Sequence, residues 1–406
     1  MQFFRLVLTG VALALMPATA AFAADAELDA LALESATETA VPTARSGRDL
    51  RFFVEGASGN ASQRYQPGNR SIGRVSVDFS LAVPVATGLR AIVSDRIDYM
   101  DPSDPGADAA VNSLREAYVS WHGEGGAGAN IVEFGRINLR YGPGYGYNPT
   151  DFFRDGSLRT QTTANPFAMR ENRLGSVMLR GQHLWSGGSL SLAYSPKLAD
   201  EPSPDGWNVD LGATNNRNRA LLVLGTQFSP TISSQLLAYK EAGRASTLGA
   251  SATALLSNAA TAHLEFTRGS EPDLLSRSLG LPDTNRTRNR FVAGMTYTTL
   301  GKLSVTAEYQ YNGFALSESD WAALGASPPA QEAYLREAQR SQDLAARQGY
   351  LVYVTQKSLG LKDLDLTAFL RVNAVDQSKM AWVELRHHWP SFDLALQVQR
   401  HLGEIN

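Results

Sequence analysis

The chain has 406 residues, contains no cysteine and carries a formal net charge of −3. The absence of cysteine excludes a disulfide scaffold and thiolate metal sites, and the small negative charge does not indicate a protein that binds nucleic acid. After the N-terminus, no stretch of the sequence approaches the ~20 consecutive apolar residues of a membrane-spanning helix. The length fits two or three soluble domains or one large barrel.

Residues 1–24 have the three parts of a secretory signal peptide. A short basic start at Arg5 precedes an apolar core from Leu6 to Met16, and Ala21-Phe22-Ala23 is a small-residue cleavage site. A buried helix is the alternative for an apolar run of this length. We expect cleavage after residue 23 or 24 and therefore an exported protein. Residues 25–47, rich in Ala, Glu and Thr, are expected to form a short periplasmic lead-in.

From residue 48 to residue 406 the sequence repeats segments in which apolar and polar side chains alternate. In the segment 303–312 the odd positions are apolar or aromatic and the even positions are polar, and 74–83 and 392–401 are similar. Successive side chains of a strand point to opposite faces, and ~10-residue alternating segments are typical of outer-membrane barrels of the Gram-negative type. The pattern predicts an all-β fold, a transmembrane antiparallel β-barrel. A soluble, half-buried sheet also alternates and is the alternative.

Seventeen strands are predicted by this alternation. They cover 49–57, 72–83, 87–99, 112–122, 130–140, 172–184, 188–195, 219–228, 231–241, 244–256, 258–268, 288–299, 302–313, 349–358, 361–373, 377–388 and 391–402. Tight links follow the even-numbered strands and mostly long links follow the odd-numbered ones, so the first strand should start in the periplasm. Because single-chain bacterial barrels have even strand numbers, we expect 16–18 strands and favour 18, with an eighteenth strand missing after residue 402.

The stretch 131–181 contains a strand, a long polar loop and a second strand. Every second residue of the strand, counted from Arg136, lies on the same face, and this face carries basic side chains. The loop that follows is rich in glycine, aromatic residues and arginine. Loops of this length are usually functional or disordered, and we expect this one to fold into the lumen and narrow it. The candidates for the pore constriction are Arg136, Asn138, Arg140, Tyr145, Tyr147, Asp151, Arg154, Arg159, Arg170, Arg173 and Arg180, with Glu116 and Glu133 among the opposing carboxylates.

Arginine rings favour anions in a pore. For each single arginine, the alternative is a salt bridge that fixes the loop. Further along, residues 317–347 have helix signals, including Ser317 with Asp320 at a helix start and Pro328-Pro329 before a second helix. We expect these helices to cover an outer loop.

Three tracts resemble the alginate-export and carbohydrate-porin-like outer-membrane barrels. They are Leu114-Arg-Glu-Ala-Tyr-Val-Ser-Trp121, Glu133-Phe-Gly-Arg136 and Tyr147-Asn-Pro-Thr-Asp151, and Glu308-Tyr-Gln-Tyr-Asn-Gly313 is a further similarity. The resemblance implies a barrel that transports solutes. It does not identify the solute, because one scaffold serves many functions.

No Ser-His-acid arrangement and no HExxH motif occurs in the sequence, and we expect neither an enzyme nor a cofactor or metal. The leading hypothesis is a porin in the cell outer membrane for small polar solutes, anionic or sugar-like. The alternatives are an export conduit for a polysaccharide, working with periplasmic partners, and an adhesive barrel with a blocked lumen. The expected partners are outer-membrane lipid and lipopolysaccharide, the solute and possible further copies of the chain.

Overall fold

Within the residues that the structure describes, eighteen antiparallel strands form one sheet that closes on itself as a barrel. The computed structural model describes residues 8–15, 49–62, 69–100, 108–125, 128–282 and 285–403. Each strand pairs with its neighbours in sequence, and β1 pairs with both β2 and β18. The strands are β1 (Leu8–Leu15), β2 (Asp49–Ser62), β3 (Asn69–Ala86), β4 (Leu89–Met100), β5 (Ala110–Gly125), β6 (Gly128–Ile137), β7 (Ser176–Trp185), β8 (Gly188–Ser195), β9 (Arg219–Ser229), β10 (Ile232–Glu241), β11 (Thr247–Ser257), β12 (Ala260–Glu271), β13 (Arg286–Thr298), β14 (Leu303–Asn312), β15 (Gln348–Gln356), β16 (Leu364–Asn373), β17 (Lys379–His388) and β18 (Phe392–Leu402).

The seventeen predicted strands correspond one for one to β2–β18, which confirms the prediction of a large antiparallel barrel. The clearest difference in boundaries lies beside the long loop. The strand predicted over 130–140 ends at Ile137, and the one predicted over 172–184 begins at Ser176. At these positions the chain leaves the sheet, and its backbone amides find partners both within the loop, as Leu174 does at the Ser157 carbonyl, and on the wall, as Gly175 does at the Arg115 carbonyl.

A further strand, β1, lies before these seventeen in the sequence, and the expectation that a final strand is missing after residue 402 stays a prediction. Leu13 pairs with Gly56 on one side and with Leu394 on the other. The segment falls within the predicted signal peptide, and the assignment of residues 1–24 as a signal peptide stays a prediction. The predicted lead-in at 25–47 lies outside the described residues.

Polar side chains point into the barrel and apolar side chains point outward. On β14, the side chains of Thr306, Glu308 and Gln310 are buried. On the outer surface, large apolar side chains such as Leu192 on β8 and Leu236 on β10 are exposed. A soluble half-buried sheet would have the opposite arrangement, with its apolar face covered. The observed arrangement is the one that transmembrane barrels have.

The connections at the two ends of the barrel differ in length. Residues 186–187 and 230–231 are tight turns at one end, and the long connections 138–175, 196–218 and 313–347 lie at the other. Helices α1 (Pro166–Glu171) and α2 (Leu211–Thr214) lie in the first two of these connections, α3 (Leu274–Leu279) lies in the connection from β12 to β13 at the same end, and α4 (Glu318–Gly325) and α5 (Pro328–Arg340) lie in 313–347.

The two longest helices confirm the predicted helical segment. A capping box of Ser317 and Asp320 opens α4, and proline occupies the first turn of α5. No helix in the described ranges is both long enough and apolar enough to span a membrane.

Candidate functional site

The connection 138–175, called the crossing loop below, spans the barrel lumen. It leaves the wall at the end of β6, yet its backbone amides donate hydrogen bonds to carboxylates on β12 and β14. Strand β14 is eight positions from β6 in a ring of 18, so the two strands lie almost opposite each other. The loop predicted to fold inward therefore does so, and it reaches the far wall.

Glu265 on β12 is the first anchor of the crossing loop. Its Oε1 accepts hydrogen bonds from the Gly144 amide at 2.7 Å and from Asn148 Nδ2 at 3.0 Å. Its Oε2 accepts from the Thr150 amide at 3.1 Å and from Thr150 Oγ1 at 2.7 Å. An ionised carboxylate is costly to bury unless its oxygens are hydrogen-bonded, and donors to a charged acceptor form strong bonds. The four bonds therefore hold the loop against the wall.

Glu308 on β14 is the second anchor. It accepts hydrogen bonds from the amides of Tyr145 at 2.5 Å and Gly146 at 2.9 Å. Two side chains of the wall, Gln310 and His263, contact the same carboxylate at 2.8 Å and 2.9 Å. The amides that a strand would have paired with a neighbour are thus satisfied by two wall carboxylates.

Glycine is required where the crossing loop approaches these carboxylates. Gly142 has φ +92°, in the left-handed region, and a Cβ there would lie 2.4 Å from Glu265 Oε2. A Cβ at Gly144 would lie 2.4 Å from the carbonyl oxygen of Tyr147. The run Gly-Pro-Gly-Tyr-Gly is consequently explained by close approach of the backbone to the wall.

Apolar side chains fill the space between the crossing loop and two sectors of the wall. One cluster lies over β7–β10 and includes Ile137, Leu139, Tyr141, Phe153, Met178, Leu221 and Tyr239. The other lies over β15–β17 and includes Tyr145, Leu351, Tyr353, Phe369 and Trp382. Burial of such side chains stabilises by ~25 cal/mol per Å² of apolar surface. The apolar residues that alternate with the basic ones after Arg136, Ile137 and Leu139, thus belong to the first of these clusters.

Asp343 joins the crossing loop to the outer loops. Its carboxylate accepts from Tyr147 Oη at 2.9 Å and from Arg154 at 2.6 Å, and Arg277 and Arg290 lie at 3.2 Å. Burial alone would raise the pKa of the Asp343 carboxyl, but the three arginines outweigh it and hold that pKa well below its usual range. Burial, with the Asp343 charge, raises the pKa of the Tyr147 hydroxyl above its usual value.

A second ionic group lies inside the crossing loop. Asp151 pairs with Arg173 at 2.9 Å and with Arg170 at 3.8 Å, and all three side chains are mostly buried. Arg170 also donates to the Tyr141 carbonyl at 3.1 Å. Burial lowers the pKa of Arg170 to about 10, against the opposing effect of Asp151. These arginines hold the loop together and are not available to a passing solute.

Four more candidate residues hold parts of the chain in place. Arg136 donates to the carbonyl oxygens of Gly175, Val209 and Asp210 and to Thr214 Oγ1. Asn138 donates to the Arg170 and Glu171 carbonyls at 3.1 and 3.2 Å, and Arg159 donates to the carbonyls of Asn112, Asp205, Gly206 and Asn208. Arg180 pairs with Glu133 at 3.0 Å on the wall. For these arginines the salt-bridge and loop-fixing alternative matches the contacts.

Arg140 differs from the other candidate arginines because its side chain is exposed. It makes no ion pair within the described residues, although Glu116, Glu171 and Arg173 lie close enough to feel its charge. Beside it, Glu171 at the end of α1 pairs with Arg51 of β2 at 3.0 Å, and these side chains are 42% and 46% exposed. Arg140 and this pair are therefore water-accessible charges beside the crossing loop, and Asp155 within the loop is 39% exposed.

An ionic network on the inner wall of β2–β5 was not predicted. Arg115 makes two bonds of 2.7 Å to Asp78, and Arg96 bonds to Asp98 and Glu55 at 3.0 Å. The crossing loop reaches this wall through Thr160 Oγ1, which lies 3.1 Å from Asp98. Alternation marks most of these side chains as inward, but it does not indicate which charges pair across strands. No cluster of metal-binding side chains occurs in the part of the chain that the structure describes.

Comparison with known proteins gives structural similarity only. No protein-family model matches the chain, and no curated protein matches it. A Salmonella typhi OmpF in complex with daunomycin has a TM-score of 0.47 and 12% identity, over 88% of this chain and 98% of that one. A triple mutant of Rhodopseudomonas blastica porin has a TM-score of 0.43 and 8% identity, over 87% of this chain and 100% of that one. Likeness at this level assigns no function and no solute to the chain.

Proposed function

We propose that the protein is an outer-membrane channel for passive diffusion of small polar solutes. The observation that carries the proposal is a closed barrel, apolar outside and polar inside, whose lumen is narrowed by a loop anchored on opposite walls. A fixed loop with carboxylate anchors limits the size of what passes without moving parts. Passage then needs no energy source and no conformational change.

Exposed aromatic side chains at both ends of the barrel support a position in the membrane. Near the tight turns these are Trp121, Trp185, Phe228, Tyr297 and Trp389, and near the long loops they are Tyr99, Tyr194 and Tyr350. Transmembrane barrels carry such aromatic girdles at the two interfaces, with an apolar band between them. We infer contact with outer-membrane lipid and lipopolysaccharide, and export through the predicted signal peptide.

We further propose a preference for anionic or sugar-like solutes, on the basis of Arg140. Among the candidate arginines, Arg140 is the one that is exposed at the crossing loop, whereas the others are bonded to carbonyls or carboxylates. An accessible cation at a narrow point attracts anions. The nearby Glu116 tempers this attraction, so we expect a modest preference.

Export of a polysaccharide, the activity that the alginate-export resemblance implies, is a less suitable proposal. Such a conduit needs a wide lumen, whereas apolar clusters pack the crossing loop against β7–β10 and β15–β17. An adhesive barrel with a blocked lumen is the other alternative, and it predicts no conductance.

Single-channel recording tests the proposal. The protein is inserted into planar bilayers, and reversal potentials are measured under a KCl gradient. We expect a stable conductance with anion preference, and we expect Arg140→Ala to reduce that preference. Arg140→Lys is the matched control because it keeps the positive charge and should keep the preference.

A folded, heat-modifiable barrel without conductance would contradict the channel. A conductance whose ion preference is the same in the wild type and in Arg140→Ala would leave the channel standing and refute the role of Arg140.

A further inference from the structure

A cavity of about 490 Å³ lies at the outer mouth of the barrel, between the crossing loop and two helices of the outer loops. The crossing loop contributes Leu158, Arg159 and Gln161, and α3 contributes Arg277 and Ser278. The remaining lining residues come from α5. Pockets for small molecules measure ~300–1,000 Å³, so the cavity is large enough for a sugar acid.

One face of α5 is directed at the cavity. Residues 333, 336, 337 and 340 line it, and their spacing of three and four places them on one side of the helix. Tyr334 and Ala338 lie on another side and are buried in the apolar cluster with Leu274 and Leu316. The packing of this cluster therefore fixes the orientation of the polar face.

Arginines predominate among the charged residues that line the cavity. Its lining contains four arginines, Arg159, Arg277, Arg336 and Arg340, and one carboxylate, Glu337. Carboxylates behind the lining balance part of this charge, because Arg340 also pairs with Asp155 at 2.9 Å and Arg277 with Asp343 at 3.2 Å. Asp343 is shared with Arg154 and Arg290, and Arg290 also pairs with Glu271, so carboxylates compensate the arginines behind the lining.

Arg336 is the lining arginine that can reorient most easily. Its side chain is 72% exposed, and its ion-pair partner is the equally exposed Glu332, at 3.6 Å. Exposed pairs of this kind contribute little to stability. A carboxylate or phosphate group could replace Glu332 at small cost, because the guanidinium fork matches either group with two parallel hydrogen bonds.

We propose that this cavity is a binding site for small organic acids, which they occupy before they reach the crossing loop. Arg336, whose partner is exposed, binds the carboxylate or phosphate group, and Arg340 and Arg277 lie beside it in the lining. The inference rests on the proposed function for its biological meaning. Binding itself can be measured without any conductance.

Calorimetry of the full chain in detergent, freed of lipopolysaccharide so that lipid phosphate cannot occupy the cavity, tests the site. The probes are glucuronate, inorganic phosphate and, as the uncharged comparison, glucose. We expect the two anions to bind and glucose not to bind. Arg336→Ala should raise the Kd for glucuronate about tenfold, which is the loss of affinity expected for one charged hydrogen bond.

Two further variants sharpen the test. Arg286→Ala, at an exposed arginine at the loop end of β13 that does not line the cavity, is the matched control and should bind as the wild type does. Ala333→Phe fills the cavity without removing a charge. It should weaken the binding of glucuronate more than the binding of the smaller phosphate.

Either of two results would overturn the site: no binding of either anion to the wild type, or equal weakening by Arg336→Ala and Arg286→Ala. A barrel that conducts but binds no anion refutes the site and leaves the channel. A barrel that binds glucuronate but does not conduct refutes the channel and leaves the site.

Discussion

At the scale of single residues, Gly144 is a position where the crossing loop has no room for a side chain. A Cβ there would lie 2.4 Å from the Tyr147 carbonyl oxygen and 2.9 Å from Glu265 Oε1, so the backbone must shift. We expect Gly144→Ala to destabilise the folded barrel by about 1–3 kcal/mol and to lower the temperature at which it unfolds on an SDS gel. Gly181→Ala is the control, because a Cβ at Gly181 meets nothing within 4 Å. Equal effects of the two substitutions would contradict the proposed anchoring.

The residue scale is also where sequence reasoning was weakest. Alternation predicts that the side chains of Glu265 and Glu308 point inward, but it carries no information on what they meet. Their partners are backbone amides 115–163 positions away along the chain. The arginines illustrate the same limit, because Arg136 and Arg140 share a parity while only Arg140 is exposed. A contact between a loop and a distant wall depends on the closed barrel, which no local pattern encodes.

At the scale of elements, the connection 313–347 should stay attached to the crossing loop over a wide pH range. The pKa of Asp343 lies well below the ordinary aspartate value, ~3.9. A carboxyl group with a lowered pKa in the folded state stabilises fully above its ordinary pKa, and this contribution is lost as the pH falls below that value. We expect trypsin at pH 8 to leave the arginines of this connection uncut. A sample that was first incubated briefly at pH 5 and then returned to pH 8 should be equally resistant.

Removal of the charge should release the connection at any pH. Asp343→Asn leaves Arg154, Arg277 and Arg290 without their shared partner, and an unpaired buried charge is strongly destabilising. Faster cleavage at Arg336, Arg340 or Arg347 than in the wild type is the expected result. Asp376→Asn, in another loop at the same end, is the control. Unchanged cleavage in Asp343→Asn would mean that Asp343 does not hold the connection.

The elements themselves were predictable because their pattern is local. Each strand from β2 to β18 is predicted by the alternation within its own sequence. Helix α4 is predicted by its capping serine, and helix α5 by the proline in its first turn. The crossing loop was predictable as an inward loop from its length and composition. Its course was not, because the two apolar clusters on which it lies are built from strands far apart in sequence.

At the scale of the whole molecule, one segment has two possible uses. The structure places Leu8–Leu15 between β2 and β18, whereas the sequence predicts that residues 1–24 are removed on export. Strands β2 and β18 both run antiparallel to β1 and hence parallel to each other. Without β1 they would border a space one strand wide, and each backbone group left unpaired in lipid costs several kcal/mol. Signal cleavage and closure by β1 therefore exclude each other.

We expect cleavage, because a basic start, an apolar core and a small-residue site occur together at the N-terminus. Intact mass of protein isolated from outer membranes should correspond to loss of the first 23 or 24 residues. A cysteine pair gives a second readout in a chain that has no other cysteine. Leu13→Cys with Leu394→Cys should form no disulfide in the mature protein, whereas Leu385→Cys with Leu396→Cys, across β17 and β18, should form one. A disulfide between positions 13 and 394, with an uncleaved mass, would instead make β1 a permanent strand of the barrel.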